Sequence, residues 1–192
     1  MIVNNVNVYG LENSFRISKF PKKVDIEKCT FELTKTIEKL AAAPIGSGHD
    51  NFLKGIVVQF DVTFTIKVWT EAERYHWFNI VSSQSTMHKI SEMNFDECFC
   101  EYVTENTKKE MQRLKEEYNA DPSPENYLRL LYNCPTGMKL TAGITTNYQQ
   151  LKTIYNQRKT HRLPEWIEFC KFIEGLPMFS ELILEGGDVV NE

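Results

Sequence analysis

The 192-residue sequence contains no apolar run of about 18 residues, the length needed to cross a membrane. Its first five residues lack the charged and apolar regions of a signal peptide. The chain has 22 Lys and Arg against 26 Asp and Glu, and the two signs are mixed, so no basic stripe predicts binding to duplex DNA or RNA. We therefore expect a cytoplasmic protein without a membrane or nucleic-acid duplex as partner.

A metal-binding pattern is also missing. Cys98 and Cys100 do not have the C-x-x-C spacing typical of zinc ligands, and the four histidines are scattered. We expect structural thiols and no metal site, with redox use of a cysteine as the alternative. No P-loop or GxGxxG motif is present either.

Internal repeats, low-complexity segments and long linkers are absent as well. The composition, 42% hydrophobic and 12% aromatic, is sufficient for a buried core. We expect a single domain over residues 1–184, followed by a frayed tail over residues 185–192.

Apolar periodicity predicts alternating helices and strands. The predicted strands cover residues 6–9 and 55–64. The predicted helices cover residues 25–43, 67–81, 105–118, 125–132, 147–158 and 163–176. The helix over residues 67–81 is mostly apolar, which indicates burial on more than one side.

The helix over residues 147–158 carries the most informative residue. Asn147 can cap its start, with Gln150 reaching back as in a capping box. The positions that recur on its apolar stripe are Tyr148, Leu151 and Tyr155, and the next one is Arg158. An inward guanidinium requires a carboxylate or a phosphate. The alternative is a partly exposed arginine that reaches water or pairs with a glutamate.

Basic residues follow Arg158 directly. With Lys159, His161 and Arg162 it forms a candidate anion site at the end of this helix. Basic residues that complement the helix dipole are the alternative, and this explains Lys159 better than Arg158.

Two further polar segments are candidates for ligand contacts. The loop over residues 46–51 contains two glycines, His49 and Asn51, and could present backbone N–H groups to a phosphate; a plain turn capped by Asp50 is the favoured alternative. The second segment offers neutral donors and acceptors for a base or ribose, in the run Ser82, Ser83, Gln84 and Ser85. An ordinary N-cap explains this run equally well.

Glu71 and Arg74 lie one helical turn apart on the preceding predicted helix, ahead of His76. Such a spacing is typical of a local salt bridge, which contributes only a few tenths of a kcal/mol. It also places a carboxylate and a guanidinium near the polar run that follows.

In this order, the segments resemble the flavin-dependent thymidylate synthases, here of a phage or prophage type. That family has a Gly-His loop before a strand, a helix with Arg-His-Arg, a Ser-containing loop, a Pro turn and a Thr-Asn helix start with an arginine at its end. The matching residues here are Gly48 and His49, Arg74-Tyr75-His76, Ser82 to Ser85, Pro135, Thr146-Asn147 and Arg158.

The sequence departs from this pattern at positions that contact the ligands in the family. With a one-residue gap Arg-His-Arg falls on residues 74–76, and without the gap it falls on residues 75–77, so one or both arginines are lost. The glutamate of the serine loop becomes Ser82 or Ser83, and the following Arg-Tyr becomes Met87-His88. These changes indicate a retained pocket that has been rebuilt, so we expect thymidylate synthesis to be absent or very weak.

The resemblance implies a mixed α/β (α+β) fold with a central mixed sheet flanked by long helices, and a homotetramer with nucleotide sites between subunits. It implies nucleotide contacts from Arg158, Arg74, Glu71, His161 and the segment Ser83-Gln84-Ser85. Contacts to a cofactor, with FAD as the candidate, would come from His49, Asn51 and His76.

Two functions fit these residues. The first is a protein that binds a nucleotide without turning it over, and could sequester a signalling nucleotide. The second is a flavin-dependent enzyme that modifies a pyrimidine nucleotide by a transfer resembling that of thymidylate synthase.

Overall fold

The computed structural model describes residues 1–184 and contains a four-stranded sheet in the order β1-β2-β4-β3. All three neighbouring pairs are antiparallel. The strands are β1 (Ile2–Tyr9), β2 (Val57–Thr65), β3 (Asn79–Ser83) and β4 (Lys139–Asn147). The predicted tail at residues 185–192 lies outside the described residues.

The central strand β2 shows why the sheet has one buried face. Its residues alternate, so Val58, Phe60, Val62 and Phe64 are fully or almost fully buried. The opposite face is polar and partly open, with the Thr63 and Thr141 hydroxyls 2.8 Å apart across the strand pair. The main apolar core therefore packs against the face that carries Val58, Phe60, Val62 and Phe64.

The helices carry most of the remaining chain. They are α1 (Leu11–Ser18), α2 (Lys35–Ala42), α3 (Ile66–Ala72), α4 (Thr86–Lys89), α5 (Phe95–Cys98), α6 (Glu105–Ala120), α7 (Pro124–Tyr132), α8 (Tyr148–Arg158) and α9 (Pro164–Glu174). Short 3-10 turns connect several of them, and a π-helical turn over Ser180–Leu184 ends the described chain.

Aromatic side chains join α9 to the sheet. The ring of Phe169 lies 5.5 Å from Phe64 and 5.8 Å from Phe60, and Trp166 lies 5.5 Å from Phe64. Offset and edge-on pairs of this kind add about 0.5–1.5 kcal/mol each beyond the burial of their area. This packing fixes α9 beside α8 and so positions the end of α8.

A second, smaller apolar cluster lies away from the main core. It is formed by α5, α6, α7, the 3-10 turn at Ile90 and the residue before β4, through Ile90, Phe95, Met111, Leu114, Leu130 and Met138. Phe95 and Phe99 stack within it at a centroid separation of 5.2 Å. The charged helix predicted over residues 105–118 is confirmed, since Met111 and Leu114 are its buried residues.

The fold class is confirmed, with four differences in detail. The sheet is antiparallel where a mixed sheet was predicted. The helix predicted over residues 67–81 is wrong, because α3 ends at Ala72 and the edge strand β3 begins at Asn79. Only Lys35–Ala42 of the predicted helix over residues 25–43 is α-helical. Strand β1 begins four residues earlier than predicted, and its Asn4–Asn7 irregularity obscures the alternation.

Among residues 1–184, no helix is both long and apolar enough to span a bilayer.

Candidate functional site

Arg158 ends α8 and its side chain is only 14% exposed. Nε donates to the Tyr75 hydroxyl at 2.7 Å, and Nη1 donates to Glu71 Oε2 at 2.9 Å. The same Nη1 lies 2.8 Å from His161 Nε2. The side chain therefore points inward, and within the described chain it pairs with a glutamate, as the alternative interpretation predicted.

Two aromatic rings, themselves in edge-on contact at 5.9 Å, lie next to this charge. The guanidinium carbon lies 4.9 Å from the Trp166 ring centroid and 5.5 Å from that of Tyr75. Contacts of this type are worth about 0.5–2 kcal/mol, with the larger values at desolvated sites. Tyr75 is held in turn by its hydroxyl, which donates to Gln157 Oε1 at 3.0 Å. The arginine is thus fixed in orientation as well as in position.

Glu71 collects donors from three elements. Lys67 Nζ lies 3.1 Å from Oε1, and Trp166 Nε1 donates to Oε2 at 3.1 Å. Burial raises the pKa of Glu71, but hydrogen bonds from Lys67 and Trp166 and the charge of Arg158 outweigh it, so the pKa lies below its ordinary value of 4.5. The carboxylate therefore stays ionised and neutralises the arginine near neutral pH.

The local salt bridge anticipated between Glu71 and Arg74 does not form. Arg74 is exposed and makes no ion pair within residues 1–184, while Glu71 pairs with Lys67 and Arg158. Of the basic residues after Arg158, only His161 contacts it; Lys159 Nζ lies 5.5 Å from the Tyr155 ring and Arg162 is exposed. The predicted four-residue anion site is therefore reduced to the Arg158–His161 pair, with Arg74 as a separate exposed cation.

The first turn of α8 contacts two segments that carry the predicted cofactor residues. Asn147 caps the helix, because its side chain accepts the Gln150 N–H at 2.9 Å. The Gln150 side chain does not reach back as predicted; Oε1 accepts the Trp77 N–H at 3.1 Å and so holds the segment after α3. Adjacent Gln149 donates to Asp50 Oδ1 at 2.9 Å and to Asn51 Oδ1 at 3.4 Å.

Asp50 was expected to cap a plain turn, but its side chain forms a buried ion pair instead. Its carboxylate is fully buried and pairs with Lys152 Nζ at 2.9 Å. Lys152 also donates to the carbonyl oxygens of Ala41 at 2.7 Å and Ala43 at 2.6 Å. This buried pair fixes the Gly-containing loop to α8, with Gly46 and Gly48 at positive φ of 87° and 79°.

The cofactor candidates lie at this end of α8. His49 and Asn51 are exposed beside Asp50, and His76 is exposed with its ring 4.9 Å from the Trp77 ring. From Gln150 to Arg158 the helix rises about 12 Å, at about 1.5 Å per residue. Asn51, a predicted cofactor residue, therefore lies at the first turn of this helix, whereas the predicted nucleotide residues Arg158 and His161 lie at its end.

The run from Ser82 to Ser85 contributes hydrogen bonds to the local structure. Gln84 continues the edge of the sheet, because its backbone N–H donates to Thr141 O and its side-chain Oε1 accepts the Thr141 N–H, each at 2.9 Å. Ser85 precedes α4, but its hydroxyl meets His88 Nδ1 at 2.9 Å instead of a backbone N–H. Ser83 is exposed on β3. No hydrogen bond among residues 1–184 joins this run to Arg158.

Three residues of the Arg158 cluster were not predicted as site residues: Tyr75, Trp166 and Lys67. Tyr75 and Trp166 lie in the main core, and only the packing of α8, α9 and the segment after α3 brings them together. Lys67 carried a usable signal, since it precedes Glu71 by four residues on a helix. The described part of the chain contains no group of three His, Cys, Asp or Glu side chains placed to hold a metal ion.

The thiols sit in apolar surroundings. Burial raises the pKa of Cys134 and of Cys170 to about 11, and it also raises the pKa of Cys98. These three are therefore protonated near neutral pH, and the five cysteines are all unpaired.

No protein-family model matches the chain, and no curated protein matches it in sequence. Solved structures do match. A crystal structure of the flavin-dependent thymidylate synthase ThyX from Helicobacter pylori, complexed with FAD and dUMP, superposes with a TM-score of 0.72 at 16% identity, covering 96% of this chain and 98% of that one. A second structure of the Helicobacter pylori enzyme with FAD and dUMP gives the same TM-score and identity, with coverages of 97% and 99%.

The chain therefore has the fold of the flavin-dependent thymidylate synthases over nearly its whole length. This confirms at the level of the fold the resemblance that the ordered motifs indicated. At 16% identity this likeness establishes the fold alone.

Proposed function

We propose that this protein binds a nucleotide through Arg158 on a thymidylate-synthase-like scaffold whose site has been rebuilt. The observation that carries the proposal is the orientation of Arg158: Nε and Nη1 are engaged by Tyr75, Glu71 and His161, while Nη2 has no hydrogen-bond partner within residues 1–184. A guanidinium fixed in this way by neighbours and rings loses little entropy when it takes a phosphate oxygen.

The remaining contacts follow from placement along the fold. Arg74 is exposed just beyond α3 and can add charge to a phosphate near Arg158. Ser83, Gln84 and Ser85 lie on and after an edge strand, and we assign them to the base or ribose of a ligand shared with a second copy of the chain. The scaffold likeness supports this arrangement, because the Helicobacter pylori structures were solved with dUMP.

FAD is the cofactor that the fold implies, and the first turn of α8 offers groups that fit it. His49, Asn51 and His76 are exposed polar side chains, and a Cβ built on Gly46 would meet nothing within 4 Å, so the loop backbone is open to approach. When bound, a flavin supplies hydride transfer. These residues would orient it and hold its polar edges.

Sequestration is favoured over turnover by the charge balance at the site. Glu71 neutralises Arg158, and Met87-His88 stands where the family has Arg-Tyr. A signalling nucleotide held by a phage-type protein matches such a pocket, which retains a fixed cation but has fewer charges to stabilise a reacting group. We propose a homotetramer as the working form.

The alternative function is a flavin-dependent enzyme that modifies a pyrimidine nucleotide, favoured by the FAD and dUMP of both similar structures. Two observations separate it from sequestration. A flavoprotein is yellow when purified, and a working synthase rescues a thymidine-requiring bacterium that lacks its own enzyme. We expect no rescue; growth without thymidine would establish the alternative.

A thermal-shift screen tests the proposal. Each nucleoside monophosphate is compared with its nucleoside, which lacks only the phosphate. A ligand present at 100 times its Kd stabilises the folded protein by about 2.7 kcal/mol and raises Tm accordingly. We expect at least one monophosphate to raise Tm while its nucleoside does not. Equal shifts from both members of every pair would exclude a phosphate-directed site.

A further inference from the structure

A cleft of about 770 Å³ has Lys67 in its wall but not Arg158. It lies where β2 ends, β4 begins and α6 and α9 start, and its walls include Lys67, Tyr102, Thr104, Lys139, Arg162 and Leu163. Neither Arg158 nor the serine run lines it. Its volume falls in the range of about 300–1,000 Å³ that is typical of small-molecule sites.

The cleft has more cations without an ion pair than carboxylates that remain available to a cation. Lys139 and Arg162 make no ion pair within residues 1–184, whereas Lys67 is paired with Glu71. Both oxygens of Glu165 are occupied, by the Thr65 N–H at 2.9 Å and the Thr65 hydroxyl at 3.0 Å. Glu168 accepts the amino group of Met1. Glu101, an exposed residue, makes no ion pair in the described chain, and its carboxylate is hydrogen-bonded to the Tyr102 side chain.

Two helix starts add partial positive charge to the same walls. The α6 helix has 16 residues and begins after Thr104, whose hydroxyl accepts the Thr107 N–H at 3.3 Å. The α9 helix has 11 residues and begins at Pro164 without a side-chain cap on Leu163. Each start carries roughly half a positive charge. These helix ends strengthen an attraction for anions that Lys139 and Arg162 already provide.

Apolar side chains form another part of the cleft. Phe99, Val103, Leu163 and Pro164 line it, and Tyr102 is 72% exposed at its edge. An exposed aromatic ring beside unpaired cations is suited to a ligand with a planar body and a charged end.

We propose that this cleft is a second ligand site, distinct from the Arg158 site, that takes a small organic phosphate with a planar ring. Arg162 and Lys139 hold the phosphate, the Thr104 and Thr136 hydroxyls supply neutral contacts, and Tyr102 covers the ring. Two unpaired cations match a phosphate monoester, which carries close to two negative charges near neutral pH. The site does not depend on nucleotide binding at Arg158.

Phenyl phosphate is the probe, with benzyl alcohol as the uncharged control, and binding is followed by amide chemical shifts of the ¹⁵N-labelled chain. We expect saturable shifts at Tyr102, Thr104, Thr136 and Leu163 with phenyl phosphate alone. Lys139→Ala/Arg162→Ala should weaken binding at least tenfold, while the exposed control pair Lys109→Ala/Lys171→Ala leaves it unchanged. If the double variant does not fold, Arg162→Ala alone, on an exposed loop, replaces it with a smaller expected loss.

An Arg158→Lys variant separates this site from the proposed nucleotide site. We expect it to bind phenyl phosphate in the cleft as wild type does, even if its nucleotide binding is lost. The proposal is overturned by unchanged affinity in the Lys139/Arg162 variants, by shifts confined to residues around Arg158, or by the absence of saturable binding.

Discussion

At the scale of single residues, the chemistry of this chain centres on the charge balance between Arg158 and Glu71. The guanidinium is buried against two rings and meets a carboxylate that also receives Lys67 and Trp166. Breaking one partner of such a pair leaves an uncompensated charge, which is strongly destabilising in buried settings. In the proposed nucleotide site, Glu71 is the group that competes with the ligand phosphate for Arg158.

The Glu71→Gln substitution tests this sharing. Gln keeps an oxygen that can accept from Trp166 but removes the negative charge, so repulsion of a phosphate at Arg158 falls. We expect affinity for the nucleoside monophosphate found in the screen to rise about tenfold, equivalent to about 1.4 kcal/mol. Calorimetric titration measures it. Glu110→Gln, at an exposed glutamate of α6 paired with Arg113, is the matched control and should change nothing. Unchanged or weaker binding in Glu71→Gln would contradict the shared-charge account.

The lowered pKa of Glu71 also predicts a pH dependence of folding. Because the folded pKa lies below the ordinary value of 4.5, the group stabilises the native state above that value and loses this contribution as pH falls through the folded pKa. Urea unfolding of wild type and Glu71→Gln gives the difference in free energy of unfolding at each pH. We expect a constant difference near neutral pH that diminishes below pH 4.5. A difference that stays constant down to the lowest pH measured would show that the carboxylate charge is not the stabilising feature.

At the scale of elements, α8 connects the two groups of candidate residues. Its first turn holds the loop of Asp50 and the segment of Trp77, and its last residue is Arg158. The buried pair of Lys152 with Asp50 is the strongest part of this connection, since both side chains are at most 5% exposed.

Replacing Lys152 with Met removes one partner and leaves a buried carboxylate. We expect a loss of roughly 3–5 kcal/mol in the free energy of unfolding, measured by urea titration, and partial recovery in Asp50→Asn/Lys152→Met. Lys171→Met on the exposed surface of α9 is the control, with an expected change within about 0.5 kcal/mol. A loss of less than 1 kcal/mol in Lys152→Met, on the order of a surface salt bridge, would contradict a structural role for the pair.

Local patterns predicted the helices that have capped starts or amphipathic faces. Asn147 capping α8 and the charged helix α6 are examples, because capping and 3.6-residue periodicity depend on near neighbours. The predicted helix over residues 67–81 failed because a short apolar run fits a helix or a strand equally well. Pairing with β4, distant in sequence, decides that residues 79–83 form an edge strand.

For Arg158, helical spacing predicted its inward direction and its need for an anionic partner. It did not identify Trp166, because that contact exists only once α9 packs on the sheet. Similarly, Lys152 reads as a surface lysine in the sequence, and its burial depends on a loop about 100 residues earlier. Site residues were thus predictable where one helix positions them and not where three elements meet.

At the scale of the whole molecule, the similarity of fold extends much further than the similarity of sequence. The order of the motifs was enough to predict a fold that superposes at a TM-score of 0.72, although identity is 16%. A shared fold does not by itself fix the function, and we propose that the residues differing from the family pattern give this scaffold a different use.

We expect the chain to assemble into an oligomer through the edges of its sheet. Both edge strands of the sheet expose apolar side chains, among them Ile2 and Val6 on β1 and Ile80 and Val81 on β3. Unprotected apolar edges favour pairing with another copy. We expect light scattering to give about four times the chain mass of 22.4 kDa. Val81→Lys should lower the mass at equal concentration, with Lys109→Ala as control. The mass of one chain across micromolar concentrations would remove the shared-site arrangement.

The most direct test of nucleotide binding through Arg158 is calorimetric titration of wild type and Arg158→Ala with the monophosphate that raises Tm. Circular dichroism first establishes that both proteins are folded, and Arg113→Ala, at an exposed arginine paired with Glu110 and Glu117, serves as control. Loss of a charge-assisted hydrogen bond to phosphate costs about 1.5–3 kcal/mol. We therefore expect Arg158→Ala to bind at least tenfold more weakly, and Arg113→Ala to bind as wild type does. Equal affinity in folded wild type and Arg158→Ala would contradict the account.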